Sequence, residues 1–253
     1  MTDQIESSAR RVVAITGAGG ALGAVLSARF AGEPDTDLVL SDLSASSLEA
    51  TVAGLPASAA PVETVLADVS DLAQVESVAA LAVERFGRLD VLVSNAGVLS
   101  PNGRIHNLAT EDWERAFRVN VLGAVNGIRA AVPIMRRQGS GSIVLTASVA
   151  GLTAWSHAGP YCASKAAVIQ VAKVAAVEYA RDGIRVNCVC PGTFLSAIHD
   201  GLPDEAIDAI AAKHPLGLGS ATDLAGAYSY LASDASRWTT GSALVVDGGY
   251  SAP

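Results

Sequence analysis

A chain of 253 residues, half of them apolar and only 17% charged, is long enough to bury a large core and too hydrophobic for global disorder. Its formal charge of −8, with no local Lys/Arg cluster, disfavours nucleic acid and anionic membrane surfaces as partners. The leading MTDQIESSAR has no apolar centre and no positive start, and no charge-free apolar run reaches spanning length, so neither signal peptide nor membrane anchor is expected and the cytoplasm is the expected compartment.

Strand-like and helix-like periodicities alternate along the chain. Runs rich in Val, Ile and Leu, as expected for strands covered on both faces, occupy 11–16, 37–42, 62–68, 89–95, 141–148, 184–190 and 243–248. Helical stretches fall between them at 21–31, 44–53, 71–86, 111–136, 160–181 and 221–232. This alternation predicts an α/β fold over residues 1–253: a single Rossmann-type, doubly wound, mostly parallel seven-stranded sheet with helices on both faces. Ligands of such sheets bind beyond the carboxyl ends of the strands, so Gly17, Asp42, Asp68, Asn95, Ser148 and Pro191 should gather along one edge.

The first strand runs into Thr16-Gly17-Ala18-Gly19-Gly20-Ala21-Leu22-Gly23 and then a helix. Small residues let the backbone turn sharply and approach a pyrophosphate, whose charge the helix N-terminus would meet; a tight connection without a ligand is the alternative. The second strand ends in Asp42, nineteen residues beyond Gly23, where a carboxylate can accept both ribose hydroxyls and repel a 2′-phosphate. Leu43 follows, and the glycine turn holds no Arg or Lys. NAD rather than NADP is the expected cofactor, with a solvated or helix-capping Asp42 as the alternative.

Farther along, Asn120 lies in the long helical stretch, Ser148 ends the fifth strand, and PYCASKAA opens the next helix. Tyr161 and Lys165, four residues apart, share one helix face. A nearby ammonium stabilises a phenolate; lowering a phenol from about 10 to near neutrality takes about 4 kcal/mol, which Lys165 together with an oxidised nicotinamide ring could supply. The Ser148 hydroxyl would reach the oxygen that Tyr161 protonates or deprotonates, and the Asn120 amide would hold a water linking Lys165 to solvent. Cys162, Cys188 and Cys190 lack paired C-x-x-C spacing and read as buried thiols, so neither a disulfide framework nor a metal site is expected.

Taken together, TGAGGALG, Asp68-Val69, Asn95-Ala96-Gly97, Asn120, Ser148, the YCASK pentad, Pro191-Gly192 and the terminal VVDGG resemble the short-chain dehydrogenase/reductase family, in its branch of about this length, from Arg11 to Gly249. The resemblance implies that Tyr161 is the acid/base, Ser148 polarises the substrate oxygen, Lys165 binds the nicotinamide ribose and Asn120 completes a proton relay. It also implies that Asp68 and Val69 contact adenine, that Asn95 with Ala96 and Gly97 lies along the adenosine ribose, and that the segment after Pro191-Gly192, with Phe194 and Ser196, holds the nicotinamide carboxamide. Two positions depart from the family pattern. Ala21 replaces its middle glycine, which bears on cofactor placement, and Ser196 replaces its usual Thr, which keeps the hydroxyl.

The implied reaction is hydride exchange between NAD and the carbinol carbon of a small secondary alcohol. Ser100 to Asn102, Val149 to His157 and Phe194 to His199 are expected to shape the substrate pocket, with Trp155, Phe194 and Leu195 suggesting an apolar, cyclic substrate. His157 is a candidate substrate contact without a catalytic role; a solvated loop histidine is the alternative. Thr193 to Pro215, which carries PDEAIDAIAAK, reads as a substrate-binding flap, against a surface excursion without function. AAVIQVAKVAAVEYA is apolar around most of its circumference and, with 111–136, suggests a subunit interface; the resemblance implies a homotetramer. The rival readings are a 3-oxoacyl-type ketone reductase and a non-catalytic dinucleotide-binding regulator, which would not require Asn120, Ser148, Tyr161 and Lys165 together.

Overall fold

The structure, a computed structural model, describes residues 10–56, 61–196 and 203–252, without the side chain of Ala206. The opening MTDQIESSA and the central part of the predicted flap at 197–202, which includes His199, lie outside the described residues.

The first half of the chain alternates β1 (Arg11–Thr16), α1 (Ala21–Ala31), β2 (Thr36–Asp42), α2 (Ala45–Ala53), β3 (Val62–Leu66), α3 (Leu72–Phe86) and β4 (Val91–Ser94). The second half brings α4 (Thr110–Ala116), α5 (Gly123–Gln138), β5 (Gly141–Thr146), α6 (Gly159–Tyr179), β6 (Ile184–Pro191), α7 (Asp204–Ala211), α8 (Ala221–Ala232) and β7 (Ala243–Val246). Side-chain caps set the start of two helices: Ser44 accepts from the Ser47 N–H before α2, and Asp71 from the Ala73 N–H before α3. α1 has no such cap, since Gly20 precedes it, and its first N–H groups are left for another partner.

All seven strands are parallel, in the order β3-β2-β1-β4-β5-β6-β7. Alternate strand residues face opposite layers, as a period of two requires. Val12 and Ala14 pack with α3, α5 and α6, while Val13 and Ile15 pack with α1, α2 and α8. Both faces are therefore covered, which accounts for the Val/Ile/Leu runs.

The order reverses between β1 and β4, so the chain leaves their carboxyl ends in opposite directions and opens a crevice there. Gly17 packs so closely on the residues after β4 that a Cβ would stand 2.7 Å from the Ala96 Cα, with a φ of +66°. Thr16 Oγ1 accepts from the Asn95 and Ala96 N–H groups at 3.1 and 3.3 Å, and Asn95 Nδ2 donates to the Gly17 carbonyl at 3.1 Å. The two loops are thus locked together at the reversal.

Three expectations need correction. The stretch 111–136 is interrupted by a π-helical segment, Phe117–Leu122, between α4 and α5. Its wider turn rotates the helix face and carries Asn120 inward, to 2% exposure. The strands expected at 62–68, 89–95, 141–148 and 243–248 stop at Leu66, Ser94, Thr146 and Val246, because the residues that follow leave the ladder. Finally, the cysteines are free but only Cys188 and Cys190 are buried; Cys162 is half-buried in the first turn of α6, beside the cleft.

Gly23 in the first turn of α1 has no room for a side chain: a Cβ would lie 2.0 Å from the Gly17 carbonyl oxygen. Gly23→Ala is expected to push α1 off the glycine turn and cost about 1–3 kcal/mol of stability, read as a lower urea midpoint. An unchanged midpoint would contradict this packing.

Candidate active site

A cleft of about 1340 Å³ runs along the carboxyl edge of the sheet, lined by the ends of β1, β2, β4, β5 and β6. Gly17, Gly20, Ala21, Leu22 and Gly23 line one end with Asp42, Leu43, Asp68 and Val69. Asp42 Oδ2 accepts from the Gly19 N–H at 2.9 Å, and Oδ1 from the Ser44 N–H at 3.1 Å. The carboxylate therefore braces the glycine turn while each oxygen keeps further acceptor capacity. Leu43 is 70% exposed, and Ala21 is exposed where it lines the cleft. Asp68 Oδ1 accepts from the Ser70 N–H, and Asn126 of α5 donates to the Val69 carbonyl at 2.9 Å. An uncapped helix start, a glycine turn that a Cβ would fill and a fixed carboxylate form a cradle suited to a dinucleotide.

The other end gathers Ser148, Tyr161 and Lys165. Ser148 follows β5, and its hydroxyl accepts from the Ala150 N–H at 3.1 Å. Tyr161 stands in the first turn of α6, helped by Pro160 at the helix start, and shares this end of the cleft with Ser148. Burial raises the phenol above its ordinary value, and the Ser148 hydroxyl only partly opposes this. The phenol is thus not lowered by the protein alone; the expected lowering calls on Lys165 together with an oxidised nicotinamide ring. The lysine is committed elsewhere: Lys165 Nζ donates to the Thr146 carbonyl at 2.7 Å and lies 5.9 Å from the centroid of the Tyr161 ring. Burial lowers the Lys165 ammonium itself to about 8.

Asn120 does not line the cleft; it stands behind Gly97. Its Oδ1 accepts from the Val98 N–H at 2.8 Å, and Nδ2 donates to the Val98 carbonyl and to Ser164 Oγ, each at 2.9 Å. Both amide hydrogens are thus used, and the amide donor expected to hold a water is already spent. A Cβ on Gly97 would meet Asn120 Oδ1 at 3.1 Å and Lys165 Nζ at 3.2 Å, so any side chain there would crowd both groups.

Asn95, Ala96, Gly97, Pro191, Gly192, Phe194 and Ser196 all line the cleft, as do Asn102 and Trp155. His157 does not. It is exposed, in left-handed backbone at φ 69°, with its ring on Ser156 Oγ and its carbonyl accepting from the Gly103 N–H. That turn carries the side chain away from the cleft, which corrects the expected substrate contact. Ser100 likewise turns inward, its hydroxyl buried and unpartnered. Sequence reasoning missed Arg115, Arg118 and Tyr250, and did not single out Thr193 and His214 within the expected flap; all five also line the cleft. Only their position beside recognised pieces pointed to them: Tyr250 directly follows VVDGG, and His214 stands at the end of the flap.

A doubly wound parallel sheet with a dinucleotide cradle and a Ser/Tyr/Lys cluster at its carboxyl edge defines a nicotinamide-dependent oxidoreductase acting on CH–OH groups. A family profile described as enoyl-(acyl carrier protein) reductase matches residues 18–251. The chain belongs to the short-chain dehydrogenase/reductase family, whose members bind a nicotinamide dinucleotide. It is 40% identical to 2-(R)-hydroxypropyl-CoM dehydrogenase of Xanthobacter autotrophicus, covering 96% of this chain and 99% of that protein. It is 36% identical to cis-4-hydroxycyclohexanecarboxylate dehydrogenase of Sinomonas cyclohexanicum, with 98% and 99% covered. The crystal structure of levodione reductase superposes with a TM-score of 0.90 at 34% identity, over 96% of this chain and 98% of that one. Among the described residues no helix is long and apolar enough to cross a membrane, and no group of three His, Cys, Asp or Glu is placed to hold a metal.

The buried ammonium has a measurable consequence. With the Lys165 pKa at about 8 in the fold and 10.5 in the open chain, the unfolded state binds the extra proton between those values, so stability rises with pH across that window. Below it the penalty is full, about 3 kcal/mol, offset by about 1 kcal/mol for the bond to Thr146. Lys165→Met is expected to be about 1–2 kcal/mol more stable than the parent at pH 7, with the gap closing as pH rises above 8. Denaturant melts at pH 7 and pH 10 test this; a gap that widens with pH would reverse the sign.

Proposed function

We propose that this protein is an NAD-dependent dehydrogenase that interconverts a small, apolar and cyclic secondary alcohol with its ketone. The observation that carries the reading is the convergence of Ser148, the Tyr161 phenol and a buried Lys165, one helical turn from Tyr161, on one end of the cleft. A silent regulator would have no use for that cluster.

A nicotinamide dinucleotide held in this cleft would supply the hydride acceptor for oxidation of the carbinol carbon and the hydride donor for reduction of the ketone. Tyr161 takes the proton of the substrate hydroxyl in oxidation and gives it back in reduction. Ser148 donates to the same oxygen and holds it against the phenol. Lys165 contributes positive charge that stabilises the phenolate and binds the nicotinamide ribose. Asn120 holds Val98 and Ser164 in place behind Gly97 and supports the cluster from there, its amide hydrogens being committed to those two partners.

Gly17, Gly20, Ala21, Leu22 and Gly23 receive the pyrophosphate, with the uncapped start of α1 meeting its charge. Asp42 accepts the adenosine ribose hydroxyls and repels a 2′-phosphate, and Leu43 offers no cation to neutralise one, which favours NAD over NADP. Asp68 and Val69 hold adenine, Asn95 to Gly97 lie along its ribose, and Pro191, Gly192, Phe194 and Ser196 serve the carboxamide. Trp155, Phe194 and Tyr250 favour an apolar ring as substrate, and one relative is named for a cyclohexane alcohol. Residues 193–215 act as a flap within one catalytic domain. The exposed Val174 and Val177 of α6 support a homotetramer, and the net charge of −8 suits the cytoplasm.

A panel of secondary alcohols and cyclic diols, offered with NAD+ or NADP+ and followed by nicotinamide absorbance, tests the reading; silence across the panel would sink it. Tyr161→Phe should lower turnover at least about 10³-fold while NAD binding is kept. Substantial residual activity would remove Tyr161 from the mechanism. Asp42→Ala combined with Leu43→Arg should shift preference toward NADP+ by about tenfold or more, since it removes a repulsion and adds a phosphate partner. Unchanged preference would discard the role given to Asp42.

A further inference from the structure

The segment that enters at Thr193 and returns at Pro215 is closed at its base by the chain itself. The Leu195 N–H donates to the Gly219 carbonyl at 3.0 Å, and Phe194 pairs with Gly219 in an isolated parallel bridge. Within this base stands His214, 4% exposed. Its Nε2 lies 3.2 Å from the Thr193 main-chain nitrogen, and its Nδ1 lies 3.0 Å from the Ile210 carbonyl in the last turn of α7. A main-chain N–H can only donate and a carbonyl can only accept. The imidazole is therefore neutral, with its proton on Nδ1, and both ring nitrogens are spent.

The ring faces tie this base to the reacting end of the cleft. His214 lies on Tyr250 at 4.8 Å between centroids, Tyr250 meets Trp155 edge-on at 6.3 Å, and Trp155 stacks on Tyr161 at 6.0 Å. All four side chains line the cleft. Such contacts hold aromatic planes in defined relative positions.

We infer that His214 is a positioning residue: its Nδ1–H tautomer latches the two stems of the 193–215 segment and, through Tyr250 and Trp155, holds the ring wall beside Tyr161 against which the substrate skeleton lies. The latch follows from His214 and its partners alone; its effect on substrate rests on the reading of Tyr161 as the acid/base. With both nitrogens committed, His214 is not itself a proton carrier for the reaction.

Two variants of the full-length protein separate the latch from mere packing. His214→Gln keeps a side-chain acceptor within reach of the Thr193 N–H, whereas His214→Leu keeps bulk and removes the acceptor. Amide hydrogen exchange should speed up about tenfold in His214→Leu at 193–196 and also at 153–163, which carries Trp155 and Tyr161, as expected for one lost buried hydrogen bond. In His214→Gln both segments should stay within about threefold of the parent. In the parent, ¹⁵N imidazole shifts should report a protonated Nδ1 and a bare Nε2. Parent-like exchange in His214→Leu, equal acceleration in both variants, or acceleration confined to 193–196 would each overturn the inference.

With cyclohexanol and NAD+ as probes, His214→Leu should raise KM about tenfold while kcat stays within about threefold, because the wall and not the chemistry is loosened. A fall in kcat at unchanged KM would contradict this. Absence of cyclohexanol turnover in the parent, or full activity in Tyr161→Phe, would count against the dehydrogenase reading, and the exchange pattern would still decide the latch.

Discussion

The arrangement turns on an ammonium group buried in the middle of the cleft wall. Lys165 is 4% exposed and bonded to the Thr146 carbonyl, and the surrounding protein makes its charge costly. A buried cation persists only where the rest of the fold holds it in place. Here that support is a chain of hydrogen bonds across the sheet edge: Thr146 Oγ1 reaches the Tyr228 hydroxyl at 2.8 Å and Asn95 Oδ1 at 3.3 Å, and Asn95 in turn reaches Gly17. Lysine, substrate end and glycine turn therefore belong to one network, and the cost of the buried charge is borne by the sheet rather than by a local loop. This is a common bargain at active sites, where a group useful for chemistry is poorly suited to stability.

The protein's own groups leave Tyr161 too weakly acidic for rapid proton exchange near neutrality. Burial raises the phenol, and Lys165 stands beside the ring rather than at the oxygen. An added positive charge is needed next to the phenol before a phenolate becomes favourable. On the proposed mechanism, that requirement would tie the acid/base step to a loaded cleft.

Much of the fold was legible because strand and helix alternate with clear periods. α1 and α8 begin and end where the apolar pattern does, and every expected strand is present in the sheet. The cofactor cradle was legible for a related reason: a glycine turn followed by a carboxylate is a local signal, set by backbone sterics and one strand length. The π segment at Phe117–Leu122 was not legible, since its residues are ordinary helix formers and the register slip comes from Asn120 being drawn toward Val98 and Ser164. His157 misled for the opposite reason. Four residues before Tyr161 would be one turn along a helix, but α6 starts only at Gly159, and a left-handed residue turns His157 outward.

The two ends of the cleft differ in how they are built, and that difference has a functional meaning. The dinucleotide end is made of consecutive strand termini cross-braced by main-chain bonds, such as Asp42 to Gly19 and Thr16 to Asn95 and Ala96. Each of these bonds has a main-chain partner, so the shape of the turn is set by the backbone while side chains at its rim, such as Leu43, stay free to vary. The substrate end is assembled from Trp155, Phe194, His214 and Tyr250, which come from widely separated connecting segments, with Trp155, His214 and Tyr250 meeting through ring contacts. Loops on a rigid scaffold can change without disturbing the sheet. A fold organised in this way keeps its hydride chemistry constant while its alcohol changes, which accords with relatives of similar length and high coverage named for chemically different substrates.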